Sequence, residues 1–231
     1  MNQFQASSGP AVAYADTETR ATFLIQTYLN LLGSICAFAA IEIYLFKSGM
    51  AAAIAAALMG ISWLLVLGGF MIVGWLATSA AHRATSLLAQ YSSLVLFVLA
   101  ESIIFVPLLY MAQAHAPGII ESAATVTLVG FAGLTLVAFL TRTDFSFLGS
   151  VLRWGFIVAL VLIVASALFG FNLGTFFTVA MIALAGGAIL YKTSGIMRHY
   201  PHDRQVAASL ELFASVALLF WYVLQLFMPR R

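Results

Sequence analysis

The chain reads as a series of long, continuously apolar runs separated by short polar breaks. Runs able to cross about 30 Å of hydrocarbon at about 1.5 Å per residue fall at residues 22–46, 51–77, 87–111, 121–140, 151–169, 174–191 and 205–227. Apolar residues fill each run instead of alternating with polar ones, which predicts helices and not barrel strands, and a helix satisfies its own backbone in lipid. The pattern therefore predicts an all-α membrane protein with seven transmembrane helices. Connections are short and no linker or repeat interrupts the series, so residues 22–231 are expected to form one transmembrane domain behind a polar, mobile tail at residues 1–21. That tail lacks a basic start, a short apolar core and a cleavage site, and is not expected to be a removable signal. Pro107 should kink the third span near Val106. Small residues at 51–57, with Gly68, Gly69, Gly130, Gly133, Gly186 and Gly187, suggest places where helices approach closely.

Composition agrees with a polytopic protein: 63% of residues are hydrophobic and 8% charged, against roughly 45–50% and 25% in soluble domains. The net charge of +2 is spread over loops instead of gathered in a patch, which argues against nucleic-acid binding. Cys36 is the only cysteine, so one chain can form neither an internal disulfide nor a thiolate metal cluster. With the amino terminus inside, Arg20, Arg83, Arg142, Arg153, Lys192, Arg198 and Arg204 fall on one side of the membrane and Lys47, Arg230 and Arg231 on the other. The positive-inside tendency then favours a cytoplasmic amino terminus.

Charge inside the spans is where chemistry is expected, because an ionised group near the bilayer centre costs roughly 2.5–3.5 kcal/mol on insertion scales unless paired or hydrated. Glu42, close to Tyr44 and Lys47 near a membrane surface, reads as a snorkelling structural charge. Glu101, flanked by Val98, Leu99, Ile103 and Ile104, should face the bundle interior as an ion or proton site, or else stay protonated. Lys192 and Glu211 are nearly symmetric about a hairpin at His199, Pro201 and His202, so antiparallel helices bring them to similar depth. Ser215 lies one turn beyond Glu211, on the same face and about 6 Å deeper. A Lys192, Glu211 and Ser215 cluster is expected to act either as a static lock on the hairpin or as a latch whose protonation alters helix packing. The latch reading predicts that Glu211→Gln strands Lys192 and that a charge swap partly restores the pair.

No HExxH, GxSxG, glycine-rich phosphate loop or intramembrane aspartate pair is present, so a non-enzymatic protein is expected, with no cofactor. His82, His115, His199 and His202 map to loops or span ends, away from a bundle-core metal or haem site. His199 and His202 are candidates for surface pH sensing. A retinal Schiff base at Lys192 is set aside, since that lysine sits near a helix end in the sixth span.

Four segments in order resemble the Bax inhibitor family of membrane proteins, particularly its bacterial YccA-like branch: RATFLIQTYLNLL at residues 20–32, ESIIFVPLLY at 101–110, TRTDFSFLGSVL at 141–152, and the stretch 189–220. In the third, a basic residue followed by Asp144, Ser146, Phe147, Leu148 and Gly149 resembles the family's motif between spans four and five. The resemblance implies seven helices with the seventh surrounded by the other six, in a bacterial inner membrane or an organelle membrane. It implies a pH-responsive aspartate latch over a calcium leak pathway; here the matching positions are Lys192, in YKTS, and Ser215, in LFAS, so both carboxylates are replaced. It also implies, as the favoured role, a regulator that acts on a membrane partner such as an FtsH-type protease, with a pH-sensitive cation leak as the alternative.

Overall fold

The computed structural model describes residues 17–84, 86–115, 117–141, 143–201 and 203–229. Among these the structure is all helix, with no strand: α1 (Thr17–Lys47), α2 (Met50–Met59), α3 (Trp63–Arg83), α4 (Leu87–His115), α5 (Ile119–Thr141), α6 (Leu148–Phe169), α7 (Gly174–Arg198) and α8 (Gln205–Phe227). Seven of them, all but α2, are long and apolar enough to cross a membrane. The protein is an integral membrane protein.

One predicted span is corrected. The apolar run at 51–77 is not a single helix: it divides into α2 and a separate α3 that continues to Arg83. Gly60 closes α2 by donating its N–H to the Ala56 carbonyl, and Ser62 then adopts an extended backbone, ψ 125°, before α3 begins. Ten residues rise only about 15 Å, too little to span the hydrocarbon, so α2 packs its small face, Ala51 and Ala55, against Leu45 of α1 and Val106 of α4. Nor does the tail end at residue 21, since α1 starts at Thr17 with Glu18 in its first turn, where a carboxylate complements the helix dipole. The rest of the tail, residues 1–16, lies outside the described residues. The third span runs through Pro107 as one helix.

The last helix is the centre of the bundle. In its most apolar eighteen-residue stretch α8 is 72% buried, against 11% for both α3 and α6. It packs on α1, α3, α4, α5 and α7, and meets α6 through Tyr222, which shares a small cluster with Ala159. Outer helices instead turn large apolar side chains outward, as Leu88, Phe169 and Phe176 do, which is what a lipid-facing surface requires. Helix association in lipid depends on van der Waals fit, and two glycines of α6 supply it. A Cβ on Gly155 would meet Leu184 of α7 at 2.5 Å, and one on Gly149 would meet the Tyr191 ring at 3.1 Å. Gly186 and Gly187 are similarly close to Leu134 and Leu152, whereas Gly68, Gly69 and Gly133, expected at tight contacts, have nothing within 4 Å of where a Cβ would lie.

Candidate functional site

The polar residues of the bundle gather at one end, where the last turns of α3 and α7 and the first turns of α8 converge. Lys192 and Glu211 meet there, but mainly through the main chain. The lysine Nζ donates to the Glu211 carbonyl at 2.9 Å and lies 3.9 Å from its carboxylate Oε2. Ser215 Oγ donates to the same carbonyl at 3.0 Å. That carbonyl already accepts within the helix, and its second lone pair is available to side chains. The three predicted residues therefore share one acceptor on α8, with Lys192 bridging from α7.

The Glu211 carboxylate has a different principal partner. His82, in the last turn of α3, places Nε2 at 2.6 Å from Glu211 Oε1, a contact that is an ion pair when the imidazole is protonated and a hydrogen bond when it is neutral. Tyr200, in the α7–α8 connection, stacks obliquely on the His82 ring with centroids 5.9 Å apart. Its phenol is held above the ordinary tyrosine range, first by burial and then by the negative charge of Glu211. His82 belongs to none of the clusters drawn from the sequence. It is 129 residues from Glu211 along the chain. The usable signal was topological: with seven spans, the end of the second and the turn between the last two face the same side.

A cavity of about 480 Å³ lies over this junction, lined by His82, Lys192, Tyr200 and Glu211 and, from the α5–α6 connection, by Asp144 and Ser146. Asp144 accepts the Ser146 N–H at 2.9 Å and closes the turn that leads into α6; this backbone hydrogen bond, first among the causes, lowers its pKa below the ordinary aspartate value. Phe147 is the residue before α6, Leu148 its first residue, and Gly149 admits the Tyr191 ring. Ser194 of α7 holds the loop from below, accepting the Phe145 N–H and donating to the Thr143 carbonyl. Of the motif residues, Asp144 and Ser146 thus line the junction cavity, while Leu148 and Gly149 open α6. Arg204, 7% exposed, donates to the Ala84 carbonyl and so caps α3 beside His82. Arg142 and His202 lie outside the described residues; His199 lines the cavity.

The other intramembrane carboxyls are elsewhere. Glu101 is 5% exposed on α4 and lines a second cavity, of about 1020 Å³, toward the opposite ends of the spans; it does not join Glu211. Glu42 corrects the expectation of a snorkelling surface charge: it is 6% exposed, and neither carboxyl oxygen has a hydrogen-bond partner. Among the described residues no three His, Cys, Asp or Glu side chains converge to hold a metal ion.

Fold and site together define a polytopic helical membrane protein whose central, last helix is tied at one end by a histidine–carboxylate–lysine junction. The chain belongs to the Bax inhibitor family: the family model described as inhibitor of apoptosis-promoting Bax1 matches residues 20–231. It is 30% identical over 120 residues to an uncharacterized protein of Pseudomonas aeruginosa, covering 52% of this chain and 54% of that protein, so the chain spans about half the length of that relative. It is 27% identical over 225 residues to the Golgi anti-apoptotic proteins of vaccinia virus strains Lister and LC16m0, covering 94% of this chain and 90% of theirs.

Proposed function

We propose that this protein is a non-enzymatic membrane regulator in which His82, Glu211 and Lys192 form a protonation-dependent latch on α8, and that it modulates a membrane partner such as an FtsH-type protease. The observation that carries this reading is the three-helix convergence on Glu211: α3 holds its carboxylate and α7 its carbonyl. An imidazole–carboxylate contact changes strength with the imidazole's charge, and here such a change would act on the helix around which the others pack. The vaccinia relative is named for opposing apoptosis, a regulatory role, which supports the same class of action here. The basic residues at the site's end of the bundle, Arg83, Arg198 and Arg204 among them, support a cytoplasmic amino terminus, and the Pseudomonas aeruginosa relative supports a bacterial inner membrane.

A pH-sensitive cation leak is the second reading, and one observation favours it. Three cavities follow one another along the bundle. That over the junction shares Tyr191 and Lys192 with one of about 240 Å³. This in turn shares Ala214 and Leu218 with the large one beside Glu101. Lys192 lines both of the first two cavities, where its charge repels calcium; a leak along this route therefore requires the lysine to move aside.

Ion flux into proteoliposomes across a pH series separates the two, with parent, Glu101→Gln and Glu211→Gln compared. The regulator reading expects parent flux no greater than that of empty vesicles, together with copurification of a membrane protease that weakens in Glu211→Gln. Parent flux above background that falls in either variant overturns it in favour of the leak.

A further inference from the structure

The cavity beside Glu101 is walled by α3, α4, α6, α7 and α8. Its volume, about 1020 Å³, sits at the upper end of the roughly 300–1,000 Å³ typical of small-molecule sites. Its walls are mostly apolar and include an aromatic group: Trp63 and Trp221 stack with centroids 5.8 Å apart, and Phe105 lies edge-on to Trp221 at 5.0 Å. Part of its rim is exposed, with Met71 and Trp75 on α3 and Ala167 on α6, where α3 touches α6 only sparsely. These are membrane-crossing helices, and the rim lies between them near the end of α6, where a molecule held in the bilayer can reach it.

Into this space Glu101 presents the single carboxyl of the lining, and no Lys, Arg or His shares the walls. Neither a hydrogen bond nor an ion pair reaches that carboxyl among the described residues, although the residue is 5% exposed. A buried acid with no partner in the protein is placed to take a cationic one from outside it.

We propose that this cavity binds a lipophilic monocation, a protonated hydrophobic amine or its quaternary equivalent, which enters from the bilayer and pairs with Glu101 while its body packs on Trp63, Phe105 and Trp221. The aromatic faces add cation–π attraction. A lipid chain would fill the same walls and leave the carboxyl unpaired. An anion finds no Lys, Arg or His in the walls to pair with. Calcium, which takes about 6–8 oxygen ligands, finds one carboxyl group and a lining that is mostly apolar.

The test is equilibrium binding of radiolabelled tetraphenylphosphonium, and of tetraphenylborate, its anion of matching shape, to the purified full chain in lipid nanodiscs. The expected result is saturable binding of the cation only, weakened about tenfold or more by Glu101→Gln. Ala167→Trp, which fills the cavity from an exposed position and leaves Glu101 in place, should weaken it similarly with the thermal transition retained. Absence of saturable cation binding overturns the proposal. Equal binding of both ions overturns it in favour of an acyl-chain groove, and unchanged binding in Ala167→Trp places the site elsewhere and overturns it too. Should Glu101→Gln fail to fold, Ala167→Trp and the cation–anion comparison decide.

Discussion

Glu211 uses two chemically different groups at once, and this changes what its substitution should do. Its carboxylate meets His82 at 2.6 Å, while its main-chain carbonyl takes Lys192 and Ser215. Glu211→Gln keeps the carbonyl and leaves Lys192 bonded, so the loss is that of the carboxylate contacts. We expect about 1–2 kcal/mol, below the cost of breaking a fully buried pair because a third of the His82 side chain is exposed. The charge swap of Lys192 and Glu211 should not restore stability, since a glutamate at 192 cannot donate to the carbonyl at 211; thermal unfolding of single and double variants checks this. Tyr200 supplies a pH test. Its folded pKa is raised, so its contribution to stability is fully present below the ordinary tyrosine value of about 10 and is lost as pH rises through the folded value. Spectrophotometric titration should place Tyr200 in the late-ionising fraction, and Tyr200→Phe should remove one tyrosine from that fraction. The approach of Lys192 to Glu211 was legible because a hairpin equates depth on its two arms. The His82 contact was not, because helix periodicity says nothing about which neighbour lies across a bundle.

Among the elements, the division of the second apolar run was the least legible, since Gly60 and Ser62 are weak breaks and Gly68, Gly69 and Gly74 further along the same run interrupt nothing. Propensity there is nearly silent, and the packing of Ala51 and Ala55 under α1 and α4 decides the outcome. The motif between α5 and α6 shows the reverse: its residues were conspicuous, but their work was visible only in three dimensions. Gly149 lets Tyr191 of α7 lie against the start of α6 with no side chain between them. Gly149→Ala should therefore destabilise the protein by about 1–2 kcal/mol through overpacking, and adding Tyr191→Leu should relieve part of that cost. A double-mutant cycle read by thermal unfolding measures the coupling, and additive costs would show that the two elements do not meet here.

For the whole molecule, seven crossings place the α3, α7 and α8 ends that form the junction on the same side as the start of α1. Single cysteines at Glu18 and at Ser146, introduced with Cys36 replaced by alanine, should react with an impermeant thiol reagent from the same side of sealed vesicles. One at Pro117, between α4 and α5, should react from the other. Reaction of the Glu18 and Ser146 positions from opposite sides would require a different number of crossings.

By itself the chain determined that it crosses the membrane, roughly where, and that its few buried charges would matter, because the cost of polar groups in hydrocarbon is paid residue by residue and is written locally. That the last helix would be the core came with the family resemblance and not from the pattern of the chain, and tertiary structure alone decided that His82 would reach Glu211 and that Glu101 would line a different cavity. Helices in lipid are sorted by shape and by the pairing of rare polar groups, and neither is a property of any one helix.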